Sequence, residues 1–171
     1  MSNLENLARK FMAHYLDDTF GGVTPNWFRI GKDLEEFNEE LNPDVETSKN
    51  ILGQTSVKHN GYEVSESVEP YYYAVGETLA EKVEEIANKR LTGSATQTTM
   101  VDAIFSVDAE GNVTKISAYA ETVSVIPDSI GGDTSGVQIP FTLYHHGDRV
   151  KIDNEDWSVD AETGELSYTP S

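Results

Sequence analysis

The chain has 171 residues, no cysteine, and 12 basic against 30 acidic side chains, for a formal charge of −18. That length matches one domain able to bury its own core, and the missing thiols exclude disulfides, thiolate metal sites and a cysteine nucleophile. The charge argues against a surface that grips phosphates or an anionic membrane; it fits either plain solubility or a surface that lets DNA pass without sticking.

In chain order, Met1–Lys10 reads as a flexible arm. Met1–Arg9 carries Glu5 and lacks the basic start and apolar run of a signal peptide. No window is apolar and long enough to span a membrane. Phe11–Leu16 suggests a first strand, and Asp17–Pro25, with Gly21 and Gly22, suggests a loop. Trp27, Phe28 and Ile30 form a short aromatic strand whose Trp anchors a core. Across Asp33–Glu46, Leu34, Phe37 and Leu41 have helical spacing, but acids crowd the segment and Asn42-Pro43 follows, so its periodicity leaves helix and strand open.

Two strand-like segments then flank His59-Asn60-Gly61, whose Asn-Gly pair predicts a tight hairpin turn. From Tyr62 the chain alternates, with Tyr62, Val64 and Val68 on one face and Glu63, Ser65, Ser67 and Glu69 on the other, until Pro70 ends the ladder. A helix is expected over residues 78–91. Thr78 and Glu81 have capping-box spacing, Leu79, Val83, Ile86, Ala87 and Leu91 share a face, and Gly93 is placed to stop it. The acids Glu77, Glu81, Glu84 and Glu85 lie towards its start, with Lys89 and Arg90 at its end, as the helix dipole favours.

Thr98–Val107 and Val113–Ile126 read as long strands around an Asp108–Asn112 turn. Pro127–Gly136 reads as a glycine-rich loop. Val137, Ile139, Phe141, Leu143 and His145 repeat at period two, and Val150–Ile152 extends again. Residues 155–169 form a terminal hairpin turning at Asp160–Gly164. The fold class is therefore mainly β (α+β): one domain over 1–171, an antiparallel β-sandwich or partly closed barrel with one flanking helix.

No residue set declares a reaction. His145 and His146 are adjacent on a strand, so their rings point to opposite faces and should not share an ion; no metal site is expected. Gly131–Gly136 lacks the P-loop lysine and precedes a strand, so a turn or a subunit contact is the better reading than a phosphate site. No pair of carboxylates is marked as split in pKa, and neither a Gly-x-Ser-x-Gly elbow nor a His-Glu-x-x-His motif occurs. The expectation is a protein that is not an enzyme and has no cofactor.

Several strings carry a resemblance: Leu41-Asn42-Pro43-Asp44-Val45-Glu46-Thr47, Asn50-Ile51-Leu52-Gly53, Gly61-Tyr62-Glu63 and Val68-Glu69-Pro70-Tyr71-Tyr72, then Gly131-Gly132-Asp133-Thr134-Ser135-Gly136 and Gln138-Ile139-Pro140-Phe141. With these the chain resembles the tail tube (major tail) proteins of long-tailed phages of Gram-positive bacteria, over roughly residues 26–146. The resemblance favours a strand for 33–46. It implies a virion protein, made in the host cytoplasm, whose hexameric rings stack around a tape-measure protein between tail tip and tail terminator proteins. DNA would cross the lumen without specific binding. On this reading Glu63, Ser65, Ser67 and Glu69 are lumen-lining candidates, and Phe11, Gly21, Gly22, Gly131, Gly132, Asp133 and Thr134 are inter-subunit contact candidates. The alternatives are the inner-tube subunit of a contractile tail or tail-like bacteriocin, or an acidic carbohydrate- or protein-binding module that presents Tyr71–Tyr73.

Overall fold

In the computed structural model, which describes residues 5–170, a 3-10 turn (Arg9–Phe11) leads into strands β1 (Met12–Asp17) and β2 (Trp27–Ile30). The chain continues through β3 (Pro43–Lys49), β4 (Thr55–Tyr62), β5 (Ser65–Val68) and helix α1 (Thr78–Lys89). The long strands β6 (Gln97–Val107) and β7 (Val113–Pro127) follow, then β8 (Gly131–Asp133) and β9 (Gly136–Gln138). Last come β10 (Phe141–His145), β11 (Val150–Ile152), β12 (Ser158–Val159) and β13 (Leu166–Ser167). The architecture is mainly β, a curled antiparallel sheet with one α-helix, as the alternation of the sequence predicts. Among the described residues no helix is long and apolar enough to cross a membrane.

The sheet runs β2-β1-β6-β7-β10-β5, and β11 pairs with β7 at Ala118–Ala120, beyond the stretch that β10 occupies. Both faces are covered. On one, Leu16, Met100, Val123, Phe141 and Leu143 pack beneath Leu79 and Val83 of α1. On the other, Tyr15, Val101, Ala103 and Phe105 pack beneath Trp157, Val159 and Leu166 of the C-terminal hairpin, which the Tyr15 hydroxyl fastens by donating to the Gly164 carbonyl at 2.7 Å.

Several local expectations give way to stronger local chemistry. The hairpin turn lies at Asn50–Gln54 and not at Asn60-Gly61. The Asn50 side-chain oxygen accepts from Leu52 N–H at 2.9 Å and Gln54 N–H at 3.0 Å, which closes the turn there. Asn60-Gly61 instead makes a bulge within β4. Asp44 faces Gly61 and Val45 faces His59, so Asn60 is unopposed, and Gly61 at φ 133 takes a conformation side chains disfavour. Strand β4 ends at Tyr62, so the alternation from Tyr62 to Val68 is interrupted before β5.

The capping box does not form. Thr78 is the first helical residue, Glu77 holds the N-cap position without a side-chain bond, and Glu81 N–H donates to the Glu77 carbonyl at 3.2 Å. Arg90, left-handed at φ 52, ends the helix before Gly93 is reached. Residues 33–42 are neither a helix nor a continuous strand. Their one sheet-like feature is an antiparallel bridge from Glu40 to Ser65, and regular pairing begins at Pro43. The expected Pro127–Gly136 loop contains the ribbon β8–β9, turning at Thr134-Ser135. There Gly132 is obligatory, since a Cβ would sit 2.0 Å from the Gly136 carbonyl oxygen.

Candidate functional site

Strand alternation brings more than apolar residues to the helix-side face. Beyond the cover of α1, the same face carries His14 on β1, Asp102 on β6, Glu121 on β7, His145 on β10 and Glu66 on β5. His14 and Asp102 are cross-strand partners, and Glu66 is opposite Leu143, next to His145 on β10. These side chains form an ionic row across the sheet, and segment 33–42 covers it. Phe37 is buried with its ring edge-on to His14 at 4.8 Å, and Arg9 donates to the Phe37 carbonyl at 2.9 Å.

Each contact in the row constrains the next. Arg9 approaches His14 Nε2 at 3.1 Å and can only donate, so Nε2 accepts and Nδ1–H donates to Asp102 at 2.6 Å. Asp102 accepts a second bond, at 2.9 Å, from Arg149 on the β10–β11 turn. Arg149 reaches on to Glu121 at 3.3 Å and Glu39 at 3.5 Å. Both ring nitrogens of His145 lie 2.8 Å from a carboxylate oxygen, one of Glu121 and one of Glu66. Glu121 also accepts from Gly147 N–H at 2.8 Å, which holds the turn.

The environment displaces the ionisation of these groups. Burial alone would lower His145, but the Glu66 and Glu121 carboxylates outweigh it and raise the imidazole to about 9. Burial, helped by the negative charges of Asp102 and Glu66, lifts Glu39 to about 7 against the pull of Arg149 and His145. Burial also raises Glu66, which is 1% exposed and whose Oε2 has no hydrogen-bond partner. Asp102 moves the other way: its bonds to His14 and Arg149 outweigh the burial penalty and hold it below the ordinary aspartate range. Glu39 and Asp102 are thus two carboxyls split in pKa, a feature no sequence spacing advertises.

Glu39, Glu121 and His145 converge closely enough to be considered as metal ligands. The geometry favours protons instead. His145 Nδ1 is within hydrogen-bond distance of Glu121, and Arg149 Nη1 already bridges the Glu39 and Glu121 oxygens that a cation would need. Beside these groups opens a cleft of about 660 Å³, walled by Leu41, Tyr62 and Val64 at the base of the β3–β4 hairpin.

The sequence-derived candidates are scattered. Glu63 is exposed in the break between β4 and β5, Ser65 is half-buried, and Ser67 and Glu69 are exposed. Ser65 and Ser67 lie opposite Tyr144 and Thr142 of β10, extending a small polar patch on the face away from α1. Phe11 is half-buried against Phe105, ring centroids 5.9 Å apart, at the margin of the chain's own second core. Gly21, Gly22, Gly131, Gly132, Asp133 and Thr134 are exposed, the last four on the β8–β9 ribbon. Of the expected arm, Met1–Leu4 lie outside the described residues, Glu5–Ala8 are exposed, and Arg9 is fastened to Met12, His14 and Phe37. Tyr71 is a core residue packed on Phe28 and Phe141, and Tyr73 packs against the same core, so Tyr71–Tyr73 is not an open aromatic platform. His146 turns to Ser124 at 2.7 Å while His145 enters the row, so the pair diverges as strand geometry requires.

The most exposed structure is the hairpin itself. Every position of β3 and β4 except Gly61 is exposed, including Val45, Val57 and Tyr62, and the tip presents Ile51, 103% exposed, and Leu52, 77% exposed. Comparison with protein families and with characterised proteins returns no match.

Proposed function

We propose that this chain is a structural subunit of a phage tail tube, assembling into rings that stack into a hollow conduit for DNA. The observation that carries the reading is the β3–β4 hairpin, which stands away from both cores with apolar side chains at its tip. A two-stranded ribbon is marginal in water by itself. One that keeps Ile51 and Leu52 in solvent is accounted for if another subunit covers them. The strands at the two ends of the sheet, β2 and β5, add edges suited to joining copies, although the Glu40 bridge to Ser65 already occupies part of the β5 edge. The net charge of −18 supplies a surface that repels a DNA backbone in transit. The resemblance to tail tube proteins adds the ring, the tape-measure partner and the tail end proteins. The polar patch of Ser65, Ser67 and Glu69, with Glu63 beside it, is the proposed lumen-facing side.

The test is concentration-dependent assembly, followed by sedimentation velocity and negative-stain electron microscopy, with tail-tip and tape-measure proteins added. Rings or tubes are expected from the wild-type chain. The Ile51→Ser/Leu52→Ser variant should stay dispersed while its unfolding midpoint stays within about 0.5 kcal/mol of wild type, as for exposed positions. A wild-type chain that remains monomeric with those partners present would replace the tube by a monomeric binding role.

A further inference from the structure

The ionic row lies under the segment that delivers the chain to the hairpin. Residue 42 ends the segment and Pro43 begins β3, so whatever fixes 33–42 fixes the base of the ribbon. The anchors are few and can be named. Phe37 is the buried plug, Glu40 exchanges two backbone hydrogen bonds with Ser65 at 2.8 and 3.0 Å, and Asn42 donates to the Glu63 carbonyl at 2.9 Å. Between Phe37 and Glu40, Glu39 turns inward over the row, where the open cleft leaves it room to withdraw. We propose that Glu39 is a proton-operated latch: protonated, it lets segment 33–42 lie closed on the sheet, and ionised, it loosens that segment and the hairpin it carries.

Burial and the groups facing Glu39 set the sign together. Arg149 from the β10–β11 turn and His145 from β10 attract its carboxylate, at 3.5 and 3.9 Å. Against them stand Asp102 of β6, Glu66 of β5 and Glu121 of β7. His14 of β1 and Arg9 of the 3-10 turn are committed to Asp102 and to the Phe37 carbonyl. Burial is the largest influence, and together with Asp102 and Glu66 it outweighs the two cations, so the closed state disfavours a charged Glu39 and lifts its carboxyl from 4.5 to about 7. When the segment lifts, Glu39 regains water and an ordinary acidity. Closure therefore has its full strength below about pH 4.5, weakens as pH rises, and reaches its weakest level once Glu39 is ionised in both states, above about pH 7. Near neutrality the latch sits at the end of its range, where a partner seizing the hairpin meets least resistance.

This regulatory role rests on the tube reading only for its purpose; the latch itself is measured on the dispersed full-length subunit, with no assembly. Hydrogen exchange at the Glu40 and Ser65 amides, corrected for intrinsic rates, should show opening that grows by up to about tenfold per pH unit between about pH 5 and about pH 7. The amides of Val101 and Ala120 in the β6–β7 pairing should show no such slope and serve as the internal check on folding. Glu39→Gln, neutral throughout, should flatten the response and leave the segment closed; Glu35→Gln, at an exposed position of the same segment, should keep the wild-type slope. A flat wild-type response, or a Glu39→Gln response parallel to wild type, overturns the latch without touching the tube reading, which stands or falls on the images of assemblies.

Discussion

The helix-side face of this sheet is divided into two halves built on the same strands. Under α1, Leu16, Met100, Val123, Phe141 and Leu143 are held by burial, which has no direction and no dependence on pH. Two positions along, on the same faces of the same strands, His14, Asp102, Glu121 and His145 are held by directional bonds between charged groups. The first half tolerates any apolar packing of similar volume. The second works only while each acid keeps its base, because removing one partner leaves a buried charge uncompensated. A helix covers the half that needs none of its polar groups. An irregular segment covers the other, where free backbone carbonyls and an inward carboxyl are useful.

Three measurements test whether the two halves are held by different forces. The largest effect is expected in the apolar half: Phe141→Ala should cost about 3–5 kcal/mol in urea unfolding, with little change in that cost across pH. A loss that depended strongly on pH would show the two halves to be coupled. Next comes the ionic half, where Asp102→Asn keeps the shape but leaves His14 and Arg149 without their charged acceptor. About 3 kcal/mol is expected, and a neutral outcome would mean that the row is rearranged easily. The smallest effect is the pH slope from His145. Its folded pKa, about 9, lies above the unfolded 6.5, so its contribution is complete below about pH 6.5 and is lost as pH rises through about 9. His145→Gln should reduce the fall in urea midpoint over that window. An unchanged slope would assign the alkaline sensitivity to other groups.

How much of this could be read from the sequence follows from the range of the forces. The strand pair 98–107 and 113–126 and the helix are legible because alternation and helical spacing repeat over enough residues to outweigh single exceptions, and the C-terminal hairpin, whose strands have two residues each, is legible from its Asp160–Gly164 turn. Single-residue signals fared worse. Asn60-Gly61 looked like a turn, but Asn50 closed the hairpin first with its own side chain, and the pair became a bulge. Thr78 and Glu81 had capping spacing, yet the helix began one residue earlier than that cap requires. Segment 33–42 had a helical stripe in Leu34, Phe37 and Leu41, and tertiary contacts spent Phe37 as a plug. Glu66 gave the one local hint of the ionic row, an acid interrupting the apolar positions Val64 and Val68.

Periodicity alone makes the chain mainly β, because long apolar alternations at period two can be buried only on the faces of a sheet, with one amphipathic helix laid against it. The acidity too is a matter of composition, whereas the exposure of Ile51 and Leu52 at a hairpin tip is visible only in the fold. That His14 meets Asp102, 88 residues away, and that His145 is held between Glu66 and Glu121, follows from the folded arrangement of the strands and from nothing local. Strand register brings these residues together and burial makes their pairing obligatory. Neither leaves a periodic mark on the chain, since each strand contributes only one or two of the charges that the folded row must balance.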